Sequence, residues 1–192
     1  MEKVRKIFID CGAWTGDSIK AFKEYDDSFE IYGFECEPRL KESLEKLSKK
    51  INFNFINKAV WIKDENIKLY LGQNNLTQSS SILSDKIKYI DKETPVEVGA
   101  IDLSNWIIDN FKEDDYIICK MNIEGAEYDI LEKMLKDDSL KYINILYISW
   151  HWKKIEGISK ERHNKLIQKI KKETIIIVPW RYVEGETENP FI

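Results

Sequence analysis

The fold of this chain is decided by residues 6–18, whose sequence is KIFIDCGAWTGDS. The first four of these residues are mostly apolar and favour strand, so they predict a short buried strand that leads into Asp10. Two glycines follow, at positions 12 and 16, and residues 18–22 have the composition of a helix. Strand, glycine turn and helix in this order are typical of the first unit of a nucleotide-binding α/β domain.

The spacing of the two glycines limits which kinds of ligand the turn could bind. Gly12 permits a backbone turn with positive φ and leaves room for a ligand, and Gly16 lets the loop pass close to that ligand at the start of the helix. The pattern is D-x-G-x-x-x-G rather than G-x-G-x-x-G, which suits a pyrophosphate poorly and an adenosyl group with an amino-acid tail better. Asp10 would offer its carboxylate to the site. On these residues alone, a turn without any ligand is an equally good interpretation.

A second acidic residue strengthens the prediction of a nucleotide-type ligand. Residues 30–34, EIYGF, predict a second strand, and Glu35 follows that strand directly. Glu35 also follows Gly16 by about the twenty residues expected for the acid that binds ribose hydroxyls in a strand–helix–strand unit. Its carboxylate could accept two hydrogen bonds from a 2′,3′-diol. The alternative is a surface glutamate after a strand, which the bracketing Phe34 and Pro38 make less favourable.

Four segments, taken in order, resemble the FkbM family of S-adenosylmethionine-dependent methyltransferases. Residues 8–16 are similar to that family's D-x-G-A-x-x-G turn, residues 34–38 to its F-E-x-x-P element, and residues 58–60 to the Ala-Val after its third strand. Residues 118–127, ICKMNIEGAE, resemble its most specific motif, K-x-D-x-E-G-x-E. The resemblance extends over residues 7–152, most of the chain.

The resemblance implies an α/β fold of the class I methyltransferase type. We expect a Rossmann-like three-layer sandwich, with a mainly parallel central sheet and helices on both faces, as the alternation of predicted strands and helices also favours. A length of 192 residues suggests one domain, so residues 1–192 are expected to form a single S-adenosylmethionine-dependent methyltransferase domain. The last antiparallel strand of that fold is not obvious, and residues 180–183 are the only candidate.

The same resemblance implies which residues form the site. The methionine end of the cofactor would be shaped by the glycine turn, the ribose held by Glu35, and the adenine bordered by residues 59–61. Three residues would face the methyl acceptor as catalytic residues: Asn122, Glu124 and His151. The predicted cofactor-binding residues are Asp10, Gly12, Ala13, Trp14, Thr15, Gly16, Ser18, Glu35, Cys36, Ala59, Val60, Trp61 and Asn122.

A continuous apolar run that contains one lysine, residues 116–121, has the pattern of a central parallel strand. Asn122, Glu124 and Glu127 follow its carboxyl end, where open α/β sheets place ligands. Asn122 stands where the FkbM family usually has Asp. Two acids and an amide could bind a cation or order a substrate hydroxyl. The alternative, which we favour for Glu127, is that these acids only stabilise the N-terminus of the next helix.

His151 is the candidate general base. It follows the predicted strand 143–150, and an unperturbed histidine has a pKa of about 6.5, which suits base catalysis near neutral pH. The other histidine, His163, lies in a predicted helix and is expected at the surface. Because His151 stands between Trp150 and Trp152, it could instead be only a packed neighbour of aromatic side chains.

Composition limits the partners and the compartment. Lys and Arg number 30 and Asp and Glu 34, so the net charge of −4 argues against nucleic-acid or anionic-membrane binding. No apolar run approaches the length of a membrane span, and the N-terminal residues show no signal-peptide core. Three cysteines without metal-ligand spacing suggest reduced thiols, so a cytoplasmic location is expected and no metal site is predicted. A divalent cation remains possible but unsupported, and the oligomeric state is not predicted.

The remaining elements follow from periodicity and capping residues. Further helices are predicted from residue 17 with Thr15 or Asp17 as N-cap, after Pro38, after Asp102, from Ala126 and after Ser159. Further strands are predicted at residues 51–61, 67–71, 96–101, 143–150 and 174–178, a mobile loop that could close over a substrate at 72–81, and a loose tail at 185–192.

The sequence therefore predicts methyl transfer from S-adenosylmethionine to a hydroxyl of a small molecule or a sugar. Two rivals stay open: a non-catalytic S-adenosylmethionine-binding protein, and an NAD(P)-dependent oxidoreductase, which the glycine spacing disfavours. A nucleic-acid methyltransferase is a less favoured alternative, because the chain lacks both the N/D-P-P-aromatic motif and a basic patch with interleaved aromatic residues.

Overall fold

The computed structural model describes residues 4–173, 175–180 and 190–191. Within these residues the chain forms five α-helices: α1 (Asp17–Tyr25), α2 (Lys41–Ile51), α3 (Leu103–Asn110), α4 (Glu127–Lys136) and α5 (Lys160–Ile170). The described strands are β1 (Lys6–Cys11), β2 (Glu30–Phe34), β3 (Asn54–Ile56), β4 (Ala59–Trp61), β5 (Asn66–Leu69), β6 (Val96–Asp102), β7 (Tyr116–Met121), β8 (Ile143–Ile148) and β9 (Ile176–Pro179). Short 3₁₀ helices occur at Pro38–Leu40, Gln73–Asn75, Thr77–Ser79, Leu140–Tyr142 and Trp152–Lys154.

The central sheet has the strand order β3-β2-β1-β7-β8-β9 among the described residues, and each pairing between neighbouring strands is parallel. Strands β2 and β3 follow β1 on one side of the sheet, and strands β8 and β9 follow β7 on the other side. The order of the strands therefore reverses between β1 and β7, and ligands of open α/β sheets bind beside such a reversal. A smaller sheet, β4-β6-β5, lies apart from the central one.

Helices cover both faces of the central sheet, which confirms the predicted three-layer α/β fold. Successive side chains of a strand point to opposite faces, so Ile7 and Ile9 of β1 pack into one core with α3, α4 and α5. Phe8 points the other way, into a second core with α1 and α2, where its ring stacks on Phe22 at 3.9 Å between centroids. All five side chains from Ile7 to Cys11 are buried, as expected for a central parallel strand.

The predicted strand over residues 51–61 is wrong as a single element. Helix α2 continues to Ile51, since Leu44, Leu47 and Ile51 lie on its apolar face, and Asn52 ends the helix in a left-handed conformation with φ 54°. The following residues form two short strands in different sheets, β3 and β4. Aromatic and apolar alternation alone could not show where the helix stops.

The turn between β1 and α1 places both glycines in the left-handed region, with φ 85° at Gly12 and 80° at Gly16. A Cβ on Gly12 would collide with the backbone carbonyl of Asn122, and a Cβ on Gly16 would collide with the side chain of Leu47. Both glycines are therefore explained by the protein's own packing rather than by the approach of a ligand. Gly16 is also the N-cap of α1, where Thr15 or Asp17 had been expected.

Other expectations hold with small shifts in their bounds. The side chains of Asp102 and Ser159 cap α3 and α5 as predicted, and strand β8 ends at Ile148 rather than at residue 150. Residue 174 and residues 181–183 lie outside the described residues, as does most of the predicted tail. Within the part of the chain that the structure describes, no helix is long and apolar enough to cross a membrane.

Candidate functional site

A cleft opens at the carboxyl ends of β1 and β7, where the strand order reverses. Ten of the residues predicted from sequence line it: Gly12, Ala13, Trp14, Ser18, Glu35, Cys36, Ala59, Val60, Asn122 and Glu124. Five others are not part of its lining: Asp10, Thr15, Gly16, Trp61 and His151. The structure thus gathers most of the predicted residues around one cavity and places the others behind its walls.

Asp10 lies beneath the floor of the cleft rather than in it. Its side chain is fully buried, accepts a hydrogen bond from the Ser18 hydroxyl, and forms a 2.8 Å ion pair with the Lys120 ammonium group. Lys120 also donates to the carbonyl of Gly12 at 2.7 Å. In this arrangement Asp10 fixes Ser18 and Lys120, which do line the cleft, and the glycine turn.

Thr15, Gly16 and Trp61 also stand back from the cavity. The Thr15 hydroxyl donates to the carboxylate of Asp17 at 2.5 Å, and Gly16 packs against Leu47. Trp61 ends strand β4 and packs against the core that contains α3, α4 and α5, whereas its neighbours Ala59 and Val60 line the cleft.

The turn after β1 and the end of β2 are joined through the carboxylate of Glu35. One oxygen accepts from the backbone N–H of Trp14 at 2.9 Å, and the other accepts from the N–H of Glu37 at 2.9 Å. Burial raises the pKa of Glu35, while these N–H groups favour its charged form. The backbone N–H of Cys36 also favours the charged form of Glu35. A carboxylate has about four acceptor positions, so Glu35 can still accept from a molecule bound in the cleft.

Asn122 follows β7 directly and lies across from the glycine turn. Its backbone N–H donates to the carbonyl of Cys11 at 3.1 Å, which holds the two strand ends together. Its side chain lines the cleft, and its amide group has no hydrogen-bond partner among the described residues. The amide therefore offers both a donor and an acceptor to a bound molecule.

Glu124 reaches the cleft from a strained backbone position, with φ 55°. Its carboxylate contacts three cationic groups: Lys86 at 2.7 Å, His151 at 3.2 Å and Lys154 at 3.2 Å. Burial alone would raise its pKa, but the hydrogen bonds and charges of His151 and Lys86 hold the pKa of Glu124 well below its usual range. Glu124 is thus a fixed, charged carboxylate.

His151 is buried between two carboxylates. Its Nδ1 contacts Glu127 at 2.8 Å and its Nε2 contacts Glu124 at 3.2 Å. Burial disfavours the charged imidazole, but the charge of Glu127 and the hydrogen bonds to both carboxylates outweigh it and raise the pKa of His151 to about 9. A protonated ring with both nitrogens engaged is poorly placed to act as a base. This geometry favours a role in positioning Glu124.

Glu127 holds the loop as well as the histidine, which goes beyond the helix-terminal role favoured from sequence. Its side chain is fully buried, although it lies in the first turn of α4. One oxygen accepts from the N–H of Ile123 at 3.0 Å and the other from the N–H of Gly125 at 2.9 Å. These bonds fix the backbone on both sides of Glu124.

A covering segment, residues 70–86, forms one wall of the cleft through Thr77, Gln78 and residues 80–82. It includes the predicted loop 72–81, and two 3₁₀ helices and a bridge between Tyr70 and Ser81 give it regular structure. Besides the ion pair of Lys86 with Glu124, hydrogen bonds attach it to the site. Trp14 Nε1 donates to the Thr77 hydroxyl at 2.8 Å, the Ser81 hydroxyl donates to the Glu124 carbonyl at 3.0 Å, and the Ser80 hydroxyl donates to Glu37.

The sequence analysis did not predict that Glu37 and Lys86 are buried, and it did not predict the ion pair of Lys120. Glu37 is 1% exposed and pairs with Arg39 at 2.8 Å. The one available signal was the lysine inside the apolar run of β7, since a charge in a buried strand requires a partner. Glu37 and Lys86 stand in polar surroundings, where the sequence gives no sign of burial.

The expectation that His163 lies simply at the surface is wrong. Its Nδ1 is 2.8 Å from the hydroxyl of Tyr128, and its ring stacks on Trp152 at 5.4 Å between centroids. Burial lowers the pKa of His163. It belongs to a packed aromatic cluster, the kind of role that had been considered for His151.

No cluster of His, Cys, Asp and Glu suited to a metal ion occurs within the described ranges. All three cysteines are free thiols. The fold and the cleft together define an α/β protein with a cleft where the strand order reverses, the place at which open α/β sheets bind their ligands.

Comparison with known protein families identifies the family of this chain. A family model described as "Methyltransferase FkbM domain" matches residues 10–174, so the chain belongs to the FkbM methyltransferase domain family. The resemblance found in the sequence motifs is thereby confirmed. No curated protein matches the chain.

Two solved structures match the chain. The methyltransferase FkbM from Methylobacillus flagellatus KT has a TM-score of 0.52 at 12% identity, and the match covers 88% of this chain and 38% of that one. A xanthine dehydrogenase from Bacillus halodurans has a TM-score of 0.43 at 13% identity, over 98% of this chain and 40% of that one, a score too low to establish a shared fold. The chain spans less than half the length of the solved structures that it matches.

Proposed function

We propose that this protein transfers a methyl group from S-adenosylmethionine to a hydroxyl of a small molecule or a sugar. Membership of the FkbM family supports the methyl transfer. The observation that carries the choice of donor is the carboxylate of Glu35, which lines the cleft and is held beside the glycine turn by the N–H of Trp14. Such a carboxylate suits the adjacent hydroxyls of a ribose.

The chemistry of the cleft fits this cofactor along its length. Phe34, Ala59, Val60 and Leu69 give an apolar wall of the kind that an adenine ring requires. Ser18, in the first turn of α1, lines the cleft, and the unpaired backbone N–H groups of a helix N-terminus would suit the carboxylate of an amino-acid group. When bound, S-adenosylmethionine supplies the methyl group; the protein supplies orientation, which accounts for much of the rate of such displacements.

The acceptor side of the cleft is formed by Asn122 and Glu124. The free amide of Asn122 can accept from or donate to an acceptor group, and the charged carboxylate of Glu124 can accept a hydrogen bond from a hydroxyl. His151 and Glu127 keep that carboxylate in place from behind. The acceptor hydroxyl would therefore be oriented by a charge that stays ionised across the physiological pH range.

Glu35→Ala is expected to weaken S-adenosylmethionine binding by roughly ten- to a hundredfold, because a charge-assisted hydrogen bond contributes about 1.5–3 kcal/mol. Isothermal titration calorimetry measures the change. Glu45→Ala removes a half-exposed carboxylate from the surface of α2 and serves as the matched control. Glu35→Gln keeps an acceptor oxygen for the local N–H groups, so it tests the charge in a variant with less local disruption. Unchanged affinity in a folded Glu35→Ala protein would refute the proposed ribose contact.

Two other functions can be separated from this one. A protein that only binds S-adenosylmethionine would show the same calorimetric result but no methyl transfer to any hydroxyl acceptor. An NAD(P)-dependent oxidoreductase would bind the dinucleotide more tightly than S-adenosylmethionine in a parallel titration. The turn is poorly suited to a pyrophosphate, since its glycine spacing differs from the dinucleotide pattern.

A further inference from the structure

Lys86 is the single lysine of the covering segment, and only 1% of its surface is accessible. Its ammonium group contacts the carboxylate of Glu124 at 2.7 Å and the carbonyl of Ser79 within the same segment. Lys86 does not line the cleft, but Glu124 does. The ion pair therefore joins the end of the covering segment to a residue on the acceptor side of the cleft.

The three cations around Glu124 differ in what they connect. Lys154 is solvent-exposed, with 53% of its side chain accessible, so water screens its charge. His151 is held by Glu127 and belongs to the same wall as Glu124. Lys86 comes from the covering segment, and its contact is almost free of solvent, at 2% and 12% side-chain exposure for the two partners. It is the one cation of the three that ties the segment to Glu124.

A buried ammonium group is stable only if it is compensated. Burial lowers the pKa of Lys86, the charge of Glu124 opposes that change, and Lys154 and Glu127 act more weakly in opposite directions. In return, Lys86 and His151 favour the charged form of Glu124. If the covering segment moved away, Glu124 would lose one of its two buried cationic partners and keep the other, His151.

We infer that Lys86 is a positioning residue, which orients the Glu124 carboxylate on the acceptor side of the cleft from within the covering segment. The inference rests on the proposed function for its effect on methyl transfer. The role of Lys86 toward Glu124 can be measured without turnover. Acceptor orientation would then depend on closure of the segment, which also contacts the cofactor side through Trp14 and Thr77.

The test compares Lys86→Met, which keeps the length of the side chain without its charge, with Lys86→Arg, which keeps the charge. Lys165→Met, in an exposed pair with Glu161, is the matched control. Titration of the Glu124 carboxyl carbon by NMR should show its midpoint raised by at least about one pH unit in Lys86→Met, since removing a nearby cation raises the pKa of a carboxylate. Lys86→Arg should restore most of the change, and Lys165→Met should show none.

In steady-state assays, Lys86→Met should lower kcat/KM for the acceptor by at least about tenfold. Its affinity for S-adenosylmethionine should change by less than about twofold, because Lys86 does not line the cleft. An unchanged Glu124 titration overturns the inference, even if turnover falls, because the effect would then be structural. If the wild-type protein transfers no methyl group, the proposed function fails, and the NMR titration still decides the role of Lys86.

Discussion

Lys120→Met is expected to lower the free energy of unfolding by about 3–5 kcal/mol, which is the usual effect of removing one partner of a buried ion pair. The methionine fills nearly the same volume, so lost packing contributes little. Asp10 would be left fully buried with only the Ser18 hydroxyl as a side-chain partner. The carbonyl of Gly12 would lose the donor that holds the glycine turn. Chemical denaturation followed by circular dichroism measures the loss.

The double variant Asp10→Leu/Lys120→Met separates charge from packing. Replacing both members of a buried pair by apolar side chains is often nearly neutral, so the double variant should be more stable than Lys120→Met alone. Lys41→Met, at a half-exposed position on α2, should change stability by less than about 0.5 kcal/mol. If Lys120→Met were as stable as the wild type, the pair would not support the floor of the cleft.

His151→Gln is expected to cost about 3 kcal/mol of stability below pH 6.5, because the pKa of His151 is raised from 6.5 to about 9 in the folded protein. A group whose pKa is raised on folding stabilises the protein fully below its unfolded pKa, and this contribution is lost as the pH rises through the folded pKa. The difference in unfolding free energy between wild type and His151→Gln should therefore narrow from pH 6.5 to pH 10.

His163→Gln is the natural control for this pH dependence. Since burial lowers the pKa of His163, this histidine is uncharged from pH 7 to pH 10, and the difference between wild type and variant should stay constant over that range. Denaturant titrations at several pH values give both differences. A constant difference for His151→Gln would show that the imidazole is not held charged between Glu124 and Glu127. His151 would then be available as the base predicted from the sequence.

The elements built around β1 were predictable because local signals agree there. The apolar run, the glycine turn and the acid at the end of β2 follow each other at fixed spacing, and the structure places Glu35 beside the turn through the N–H of Trp14. The region after α2 was not predictable in the same way. A helix that ends at Asn52 and two short strands produce the same alternation of apolar residues as one longer strand.

The site was predictable in its position but not in its charges. The sequence brings Asn122 and Glu124 to the carboxyl end of β7, where the cleft lies. The partners of these residues come from distant parts of the chain, since Lys86 approaches from the covering segment and His151 follows β8. The charge state of His151 depends on those partners. Residue type alone therefore favoured a general base for His151, whereas the geometry favours an imidazolium cation held between two carboxylates.

The two glycines of the turn differ in how a mutation at each could be compensated. The Cβ of an alanine at position 16 would meet the flexible side chain of Leu47, so a smaller residue at position 47 should act as a partial suppressor. The cost of the left-handed backbone, about 1–2 kcal/mol, would remain, together with the cost of removing packed methyl groups from position 47. An alanine at position 12 would meet the backbone carbonyl of Asn122, which no side-chain replacement removes. In a selection for revertants, position 16 should yield second-site changes in α2, whereas position 12 should yield only the return of glycine.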